Sequence, residues 1–355
     1  MPFRPLATHL GETLGLLHPY LFTPTGRYPA GEPRTIWVLS PGDIPTTDIY
    51  IRTRLQSRSD LAVRYIDTRR ENPPTTGTPA DHPFVIIVRH TTTPWRRYLL
   101  KQQHVLSGVA LLIDDDIPDA FADAALPLRY AAKTASRYAR AWRELEHLCE
   151  AIWVSTPALQ QKYADTPTRV VPPLYVDRTT PLGRRGPTYF YHGTAAHRRE
   201  IEWLVDIVAE VQRRNPRAEF EIFGTSRVAR LYRGIPRVRV LPPRPWRAYL
   251  DYAASITHAV GLAPLLDTGF NASRSYNKIY DITRCGAVGI YSDTATFREP
   301  LRDGQMGVLC ANDPALWVEQ ILALLGDPQR CRTLYDGAWA WCERHSTDPA
   351  MRLRT

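Results

Sequence analysis

Phe84-Val-Ile-Ile-Val88 is apolar at every position, and so is Val109-Ala-Leu-Leu-Ile113. A strand with one wet face alternates. A run with no polar face is a strand covered on both sides, as in a parallel sheet with helices above and below it. Ile36-Trp-Val-Leu-Ser40 and Ala151-Ile-Trp-Val-Ser155 read the same way, Leu61–Ile66 alternates as a further strand, and Val170-Val-Pro-Pro173 is a short one. Helical segments are expected between them, at 47–56, 96–107, 128–150 and from Pro157 to Tyr163, with Thr156 as cap and Pro157 in the first turn. Strands alternating with helices imply a parallel sheet with right-handed crossovers. After the polar stretch VDRTTPLGRRGP at 176–187 the pattern starts again. Strands are expected at Thr188–Tyr191, Phe220–Phe223, Val238–Leu241, His258–Ala263, Ala287–Tyr291 and Gly307–Cys310. The helices of this half run from His197 to Arg213, Trp246 to Ala254, Ser275 to Thr283, and near 314–326 and 328–344. The chain therefore divides into an irregular N-terminal segment (1–33) with a short amphipathic helix near Leu10–Leu17, a first doubly wound domain (34–175), a linker (176–187), a second such domain (188–328), and a C-terminal helix and tail (329–355) expected to pack back towards the first domain.

Composition removes several classes of function. No apolar run approaches the roughly 20 residues that span a bilayer, and the N-terminus lacks a charged region followed by a clean apolar one, so no signal peptide is expected. Five Cys, an odd number without CxxC spacing, suggest free thiols in a reducing cytoplasm rather than a disulfide framework or zinc site. The net charge is +9, and only four of the 45 basic residues are Lys. Such a surface suits nucleic acid, an anionic membrane face or an anionic substrate. No helix-turn-helix, zinc-finger or RNP signature is present, so nucleic acid is not the expected partner.

The most informative stretch is Pro264–Asp293, PLLDTGFNASRSYNKIYDITRCGAVGIYSD. It reads as strand, polar loop, helix, Gly and strand, a βαβ unit stopped by Gly286. The loop and the helix start lie at the carboxyl end of a parallel strand, where open sheets bind ligands. The helix N-terminus favours an anion, Lys278 adds a cation, and Asp281, three residues on, can accept hydrogen bonds from sugar hydroxyls on the same face. A Lys and an Asp at this spacing are also an ordinary solvated pair. The ligand that fits the first reading is a phosphorylated sugar or nucleotide.

Several segments in order carry a family resemblance. They are AIWVST-PALQQKY with VVPPLYVD, YFYHGTAAHRREIEWL, EIFGTS, GLAPLLDTGFNASRSYNKIYDITRCGAVGIYSD and EPLRDGQMGVLCANDPALWVEQILALLGDPQRCRTL. Together they resemble bacterial GT-B glycosyltransferases of the group 1, family-4-like type, from about residue 35 to 345. The resemblance implies two Rossmann-like doubly wound parallel-sheet domains facing across a cleft, an acceptor domain first and a nucleotide-sugar donor domain second. It implies a cytoplasmic enzyme that moves a sugar from a nucleotide diphosphate sugar to a glycan or lipid-linked acceptor in polysaccharide, glycan or glycolipid biosynthesis, with no cofactor and no metal. Peripheral contact with the inner face of a membrane would suit its basic surface. By the same resemblance, Gly193, Thr194, Arg198, Arg199 and Lys278 would hold the donor phosphates, and Gly224, Asp267, Asn271, Ser273, Ser275 and Asp281 the nucleotide and sugar. Asp281 stands where the family has the second glutamate of E-x7-E. Ser273 stands where it has the first, which leaves Asp267 or Asn271 to replace those contacts.

Asp114-Asp115-Asp116 follows the fourth strand of the first domain. Three readings stand: a solvated loop or cap, carboxylates acting on acceptor or sugar, or the metal-binding DxD of a GT-A enzyme, which the second βαβ series argues against. Asp115, Asp116 and His90 are the candidate catalytic residues, and Arg89 could meet a phosphate. Two rival readings are a catalytically inert GT-B-like binding protein, supported by Ser273 and Asp281, and another nucleotide-sugar enzyme. An epimerase or dehydrogenase would need G-x-G-x-x-G after an early strand, and Ser40-Pro-Gly-Asp-Ile-Pro45 does not supply it.

Overall fold

Six parallel strands build the first sheet: β1 (Thr35–Ser40), β2 (Ala62–Asp67), β3 (Phe84–Val88), β4 (Gly108–Ile113), β5 (Ala151–Val154) and β6 (Thr168–Val170). Their order is β2-β1-β3-β4-β5-β6. The structure is a computed structural model that describes residues 3–29, 31–75, 79, 81–175, 186–347 and 353. The two wholly apolar runs, β3 and β4, are buried along their full length, as their sequence requires, and β2, which alternates, is an edge strand. A second sheet holds β7 (Thr188–Tyr191), β8 (Glu219–Phe223), β9 (Val238–Leu241), β10 (Val260–Ala263), β11 (Val288–Ser292) and β12 (Gly307–Cys310). Its order is β12-β11-β10-β7-β8-β9, again all parallel.

The contacts divide the chain into two compact units. The first contains the chain up to Leu174, Ser273–Ser275 and the described residues from Thr347 on; the second contains Tyr175–Ala272 and Tyr276–Ser346. In the first, Trp37, Leu39, Ile87, Leu111 and Ile113 pack with Trp95, Leu99, Leu145 and Leu148 from the covering helices, and Leu21 and Phe22 of the N-terminal segment join them. In the second, one face of the sheet packs with Leu204, Ile207 and Trp317, and the other with Ile279, Tyr280, Ile282 and Cys342. Cys149, Cys285, Cys310 and Cys342 are buried and Cys331 partly so, all five as free thiols.

Boundaries depart from the sequence pattern where backbone donors decide. The strand expected at Val170–Pro173 ends at Val170, because Pro172 and Pro173 have no N–H for a ladder. The single helix expected over 128–150 is two, Leu128–Ala139 and Trp142–Leu148; the turn tightens at Ala141, whose N–H bonds Tyr138 O at 2.8 Å. The helix expected at 47–56 carries a π turn, Asp48–Arg52. The N-terminal helix is Phe3–Thr13. Of the linker, residues 176–185 lie outside the described residues. The C-terminal helix, Pro328–Arg344, belongs by contact to the second unit, where it packs against the helix Asn277–Arg284, while Thr347 and Leu353 of the tail group with the first unit.

Candidate functional site

In each sheet the strand order reverses beside its first strand, between β1 and β3 and between β7 and β10. The crevice outside the carboxyl ends of such a strand pair is where doubly wound sheets bind ligands.

In the second unit, β7 runs out into His192, Gly193 and Thr194, and β10 into the loop that leads to the helix Asn277–Arg284. Gly286 ends that helix at φ +69°, the left-handed C-cap position that favours glycine. Lys278 and Asp281 share a helix face as the spacing predicts, with Nζ 3.5 Å from Oδ2. Lys278 also donates to the carbonyl oxygen of His192, and its ammonium lies 5.7 Å from the Tyr191 ring centre. Asp281 lies 3.6 Å from Nε of Arg284, whose guanidinium is wholly buried beside Tyr175 and Trp246. The expected phosphate cation therefore stands at the β7/β10 switch point, tied to the end of β7.

Other expected donor residues divide. Arg198 is exposed and paired with Glu202 at 2.7 Å; Arg199 and Thr194 are exposed. A Cβ at Gly193 would stand 2.5 Å from Cε1 of Tyr191, and one at Gly224 would stand 2.3 Å from Cβ of Val228, so packing alone requires glycine at both. Asp267 and Asn271 line an open depression of about 630 Å³ with Thr268, Asp293 and Arg298. The amide of Asn271 is turned inward: Nδ2 donates to Glu200 Oε1 at 2.7 Å and to Leu266 O at 2.8 Å. Ser273 and Ser275 were expected at the donor but belong by contact to the first unit. There Thr156 Oγ1 donates to Ser273 O at 3.0 Å, and the Ser275 hydroxyl lies 2.6 Å from that of Tyr50.

In the first unit the three consecutive Asp do three different things. Arg89, at the end of β3 with φ +62°, grips Asp114 through Nε–Oδ1 at 2.5 Å and Nη2–Oδ2 at 2.6 Å, and reaches Asp115 Oδ2 at 3.1 Å. Thr46 Oγ1 adds a 2.7 Å bond to Asp114. Asp116 is buried and accepts from Lys162 Nζ at 2.5 Å and from the Tyr163 hydroxyl. The two oxygens of Asp116, expected among the catalytic residues, hold the helix Pro157–Lys162 and the residue after it. Asp115 lines a cavity of about 250 Å³ together with Arg89, His90, Tyr130, Lys133 and Arg137. Burial, and then the Asp114 charge, push the Asp115 carboxyl up. His90 is pushed down to about 4 by burial and by Arg137, Arg69, Arg89 and Arg96, so its ring is neutral at pH 7. Arg89, expected to meet a phosphate, is held by two carboxylates.

Two features escaped the sequence. Glu200, buried at the start of the helix Arg198–Arg214, holds the loop after β10 through Asn271 and the Leu266 N–H, the latter at 3.4 Å. Glu221 of β8 receives His192 Nε2 and His258 Nε2, each at 3.2 Å, and the Tyr252 hydroxyl at 2.6 Å. Among the described residues this is the group of His and carboxylate atoms close enough to share a cation. As hydrogen bonds, the same contacts leave both imidazoles donating. Burial drives His192 down to about 4. Burial pushes Glu221 up, but the bonds from His192, His258 and Tyr252 outweigh it and hold the carboxyl below the usual range.

Residues 186–327 match a family model described as glycosyl transferases group 1. No curated protein matches the chain. Among solved structures, TarM aligns with 11% identity and a TM-score of 0.53, over 74% of this chain and 52% of that one. Sucrose-phosphate synthase from Thermosynechococcus elongatus aligns with 15% identity and a TM-score of 0.60, over 88% and 95%. The fold is GT-B. Anabaena HepE in complex with UDP and glucose shares this GT-B architecture at 13% identity, with a TM-score of 0.54 over 88% and 95%. The chain spans about half the length of TarM. The GT-B resemblance read from the sequence holds, and the group 1 match covers most of the second unit, including the β7/β10 switch point. No helix among the described residues is long and apolar enough to cross a membrane.

Proposed function

We propose that this GT-B chain moves a sugar from a nucleotide diphosphate sugar to an acceptor in polysaccharide, glycan or glycolipid biosynthesis. The observation that carries the reading is the group 1 match across a unit whose switch point holds Lys278 and Asp281. HepE, of the same fold, has been solved with UDP and glucose, and a TarM mutant (TM-score 0.51) with UDP.

Lys278 then exchanges the His192 carbonyl for the donor diphosphate, with Arg198 and Arg199, which follow His192 closely in sequence, as further cations, and Asp281 takes the ribose hydroxyls. Cations and backbone N–H groups can neutralise a diphosphate leaving group, so the proposed transfer is metal-independent. Asp115 and the neutral His90 are the proposed polar groups at the acceptor. A neutral imidazole can take the proton of an attacking hydroxyl. Peripheral membrane contact is part of the proposal, supported by Leu6, Leu10, Leu14, Leu16 and Tyr20, which are exposed within one N-terminal stretch.

Thermal unfolding against a panel of nucleoside diphosphates tests the donor site. A ligand at about 100 times its Kd adds about 2.7 kcal/mol, a shift of a few degrees for a chain of this size. The expected result is a shift with one nucleotide that Lys278→Ala abolishes. No shift with any nucleotide sinks the reading.

A further inference from the structure

The first-unit cavity holds more positive charge than its own carboxylates answer. It lies at the β1/β3 switch point, lined by Pro41 and Ile44 after β1, by Arg89 and His90 after β3, and by Asp115 after β4. Its remaining wall is one face of the helix Leu128–Ala139, where Tyr130, Lys133, Thr134 and Arg137 fall at i, i+3, i+4 and i+7. Arg69 closes the rim. Arg89 is spent on Asp114 and Asp115. Arg69, Lys133 and Arg137 form no ion pair among the described residues. Arg137 instead meets His90 Nε2 at 3.3 Å, and burial together with Arg69 and Arg140 lowers its proton affinity. Arg69, Lys133 and Arg137 are exposed around one concave site with a single carboxylate in it, and three cations so gathered favour an anion there. The hydroxyls of Tyr130 and Thr134 add donors for such a guest. The apolar floor of Ile44, Ile117 and Leu145 would take its carbon skeleton. About 250 Å³ is small against the roughly 300–1,000 Å³ of drug-sized pockets, and suits a monosaccharide.

We propose that this cavity is a binding site for a phosphomonoester, with Arg69, Lys133 and Arg137 on the phosphate and Asp115 and His90 towards the sugar. Three cations match a dianion better than a single carboxylate. The assignment rests on the transferase reading only in calling the guest an acceptor; the binding itself does not. The single carboxylate in the cavity, Asp115, is screened from the phosphate by the Arg89 guanidinium 3.1 Å away.

The test is calorimetric titration of the full chain with glucose 6-phosphate, inorganic phosphate and glucose. Glucose 6-phosphate is expected to bind, more weakly as salt is raised, and glucose alone not to. Lys133→Ala with Arg137→Ala is expected to lower that affinity at least tenfold, while binding of a nucleoside diphosphate is unchanged. Tighter binding of glucose 6-phosphate than of phosphate assigns a phosphorylated sugar; equal binding assigns the free ion. No binding of either phosphate, or binding that survives the double variant and is lost in Lys278→Ala, overturns the site. Nucleoside diphosphate binding is read separately, so failure here leaves the donor reading standing, and failure of the donor reading leaves this one.

Discussion

The guanidinium of Arg89 meets the carboxylate of Asp114 edge to edge, with bonds of 2.5 and 2.6 Å joining the ends of β3 and β4. The pair is asymmetric: Asp114 is 6% exposed and Arg89 retains an open edge at 29%. Removing the cation strands a buried carboxylate, which is the costlier half of a broken pair. Arg89→Ala is expected to lower stability by about 3 kcal/mol, read as a lower urea midpoint. Arg89→Lys is expected to recover part of this, because a point charge cannot bond both oxygens at once. A midpoint unchanged in Arg89→Ala would show the pair to be idle.

Acid should loosen the fold through its buried imidazoles. His90 and His192 have folded values near 4, against about 6.5 when unfolded. Between those limits the unfolded chain binds more protons, so stability rises with pH across the window and falls as pH drops from about 6.5 towards 4. The slope is at most about 1.4 kcal/mol per pH unit for each group. Urea midpoints at several pH values check this, and His90→Asn is expected to flatten the slope. A flat profile in wild type would mean the rings are accessible and protonate freely.

Glu200 and Asn271 should be coupled. Their 2.7 Å bond links the start of a helix to the loop after β10. Glu200→Ala leaves a buried amide donor and the Leu266 N–H short of a partner, at about 1–3 kcal/mol. Asn271→Ala should cost a similar amount and the double variant less than the sum, since either change breaks the same bond. Strict additivity in that cycle would refute the link.

Gly286→Ala places a side chain at φ +69° with its Cβ 2.8 Å from Cγ2 of Thr257. The left-handed backbone alone costs roughly 1–2 kcal/mol. Combining it with Thr257→Ser removes the methyl and should return the steric share only. Thermal unfolding of the single and double variants separates the two contributions.

What could be read in advance was what depends on neighbours in sequence. The apolar runs of β3 and β4, the Thr156 cap with Pro157 behind it, the Gly286 stop and the Lys278–Asp281 face are all local patterns, and the structure has each of them. What could not be read depends on the return of the chain. Asp116 looked like a catalytic acid because Lys162 and Tyr163, which occupy it, come more than forty residues later. His192, Glu221 and His258 lie on separate segments, and only the sheet brings them together. Asn271 seemed free to meet a sugar until Glu200, seventy-one residues earlier, took its amide.

The thiols make the chain its own reporter. Burial pushes Cys285 and Cys342 up to about 12, and raises Cys149 as well. A thiolate is the reacting form, so in the folded state these sulfurs ignore alkylating reagents, and each is modified only when its surroundings open. Cys149 sits in the first unit and Cys285 and Cys342 in the second. Labelling rates read by mass would therefore time the breathing of each half separately, and a ligand that settles in one half would slow one clock and leave the other running.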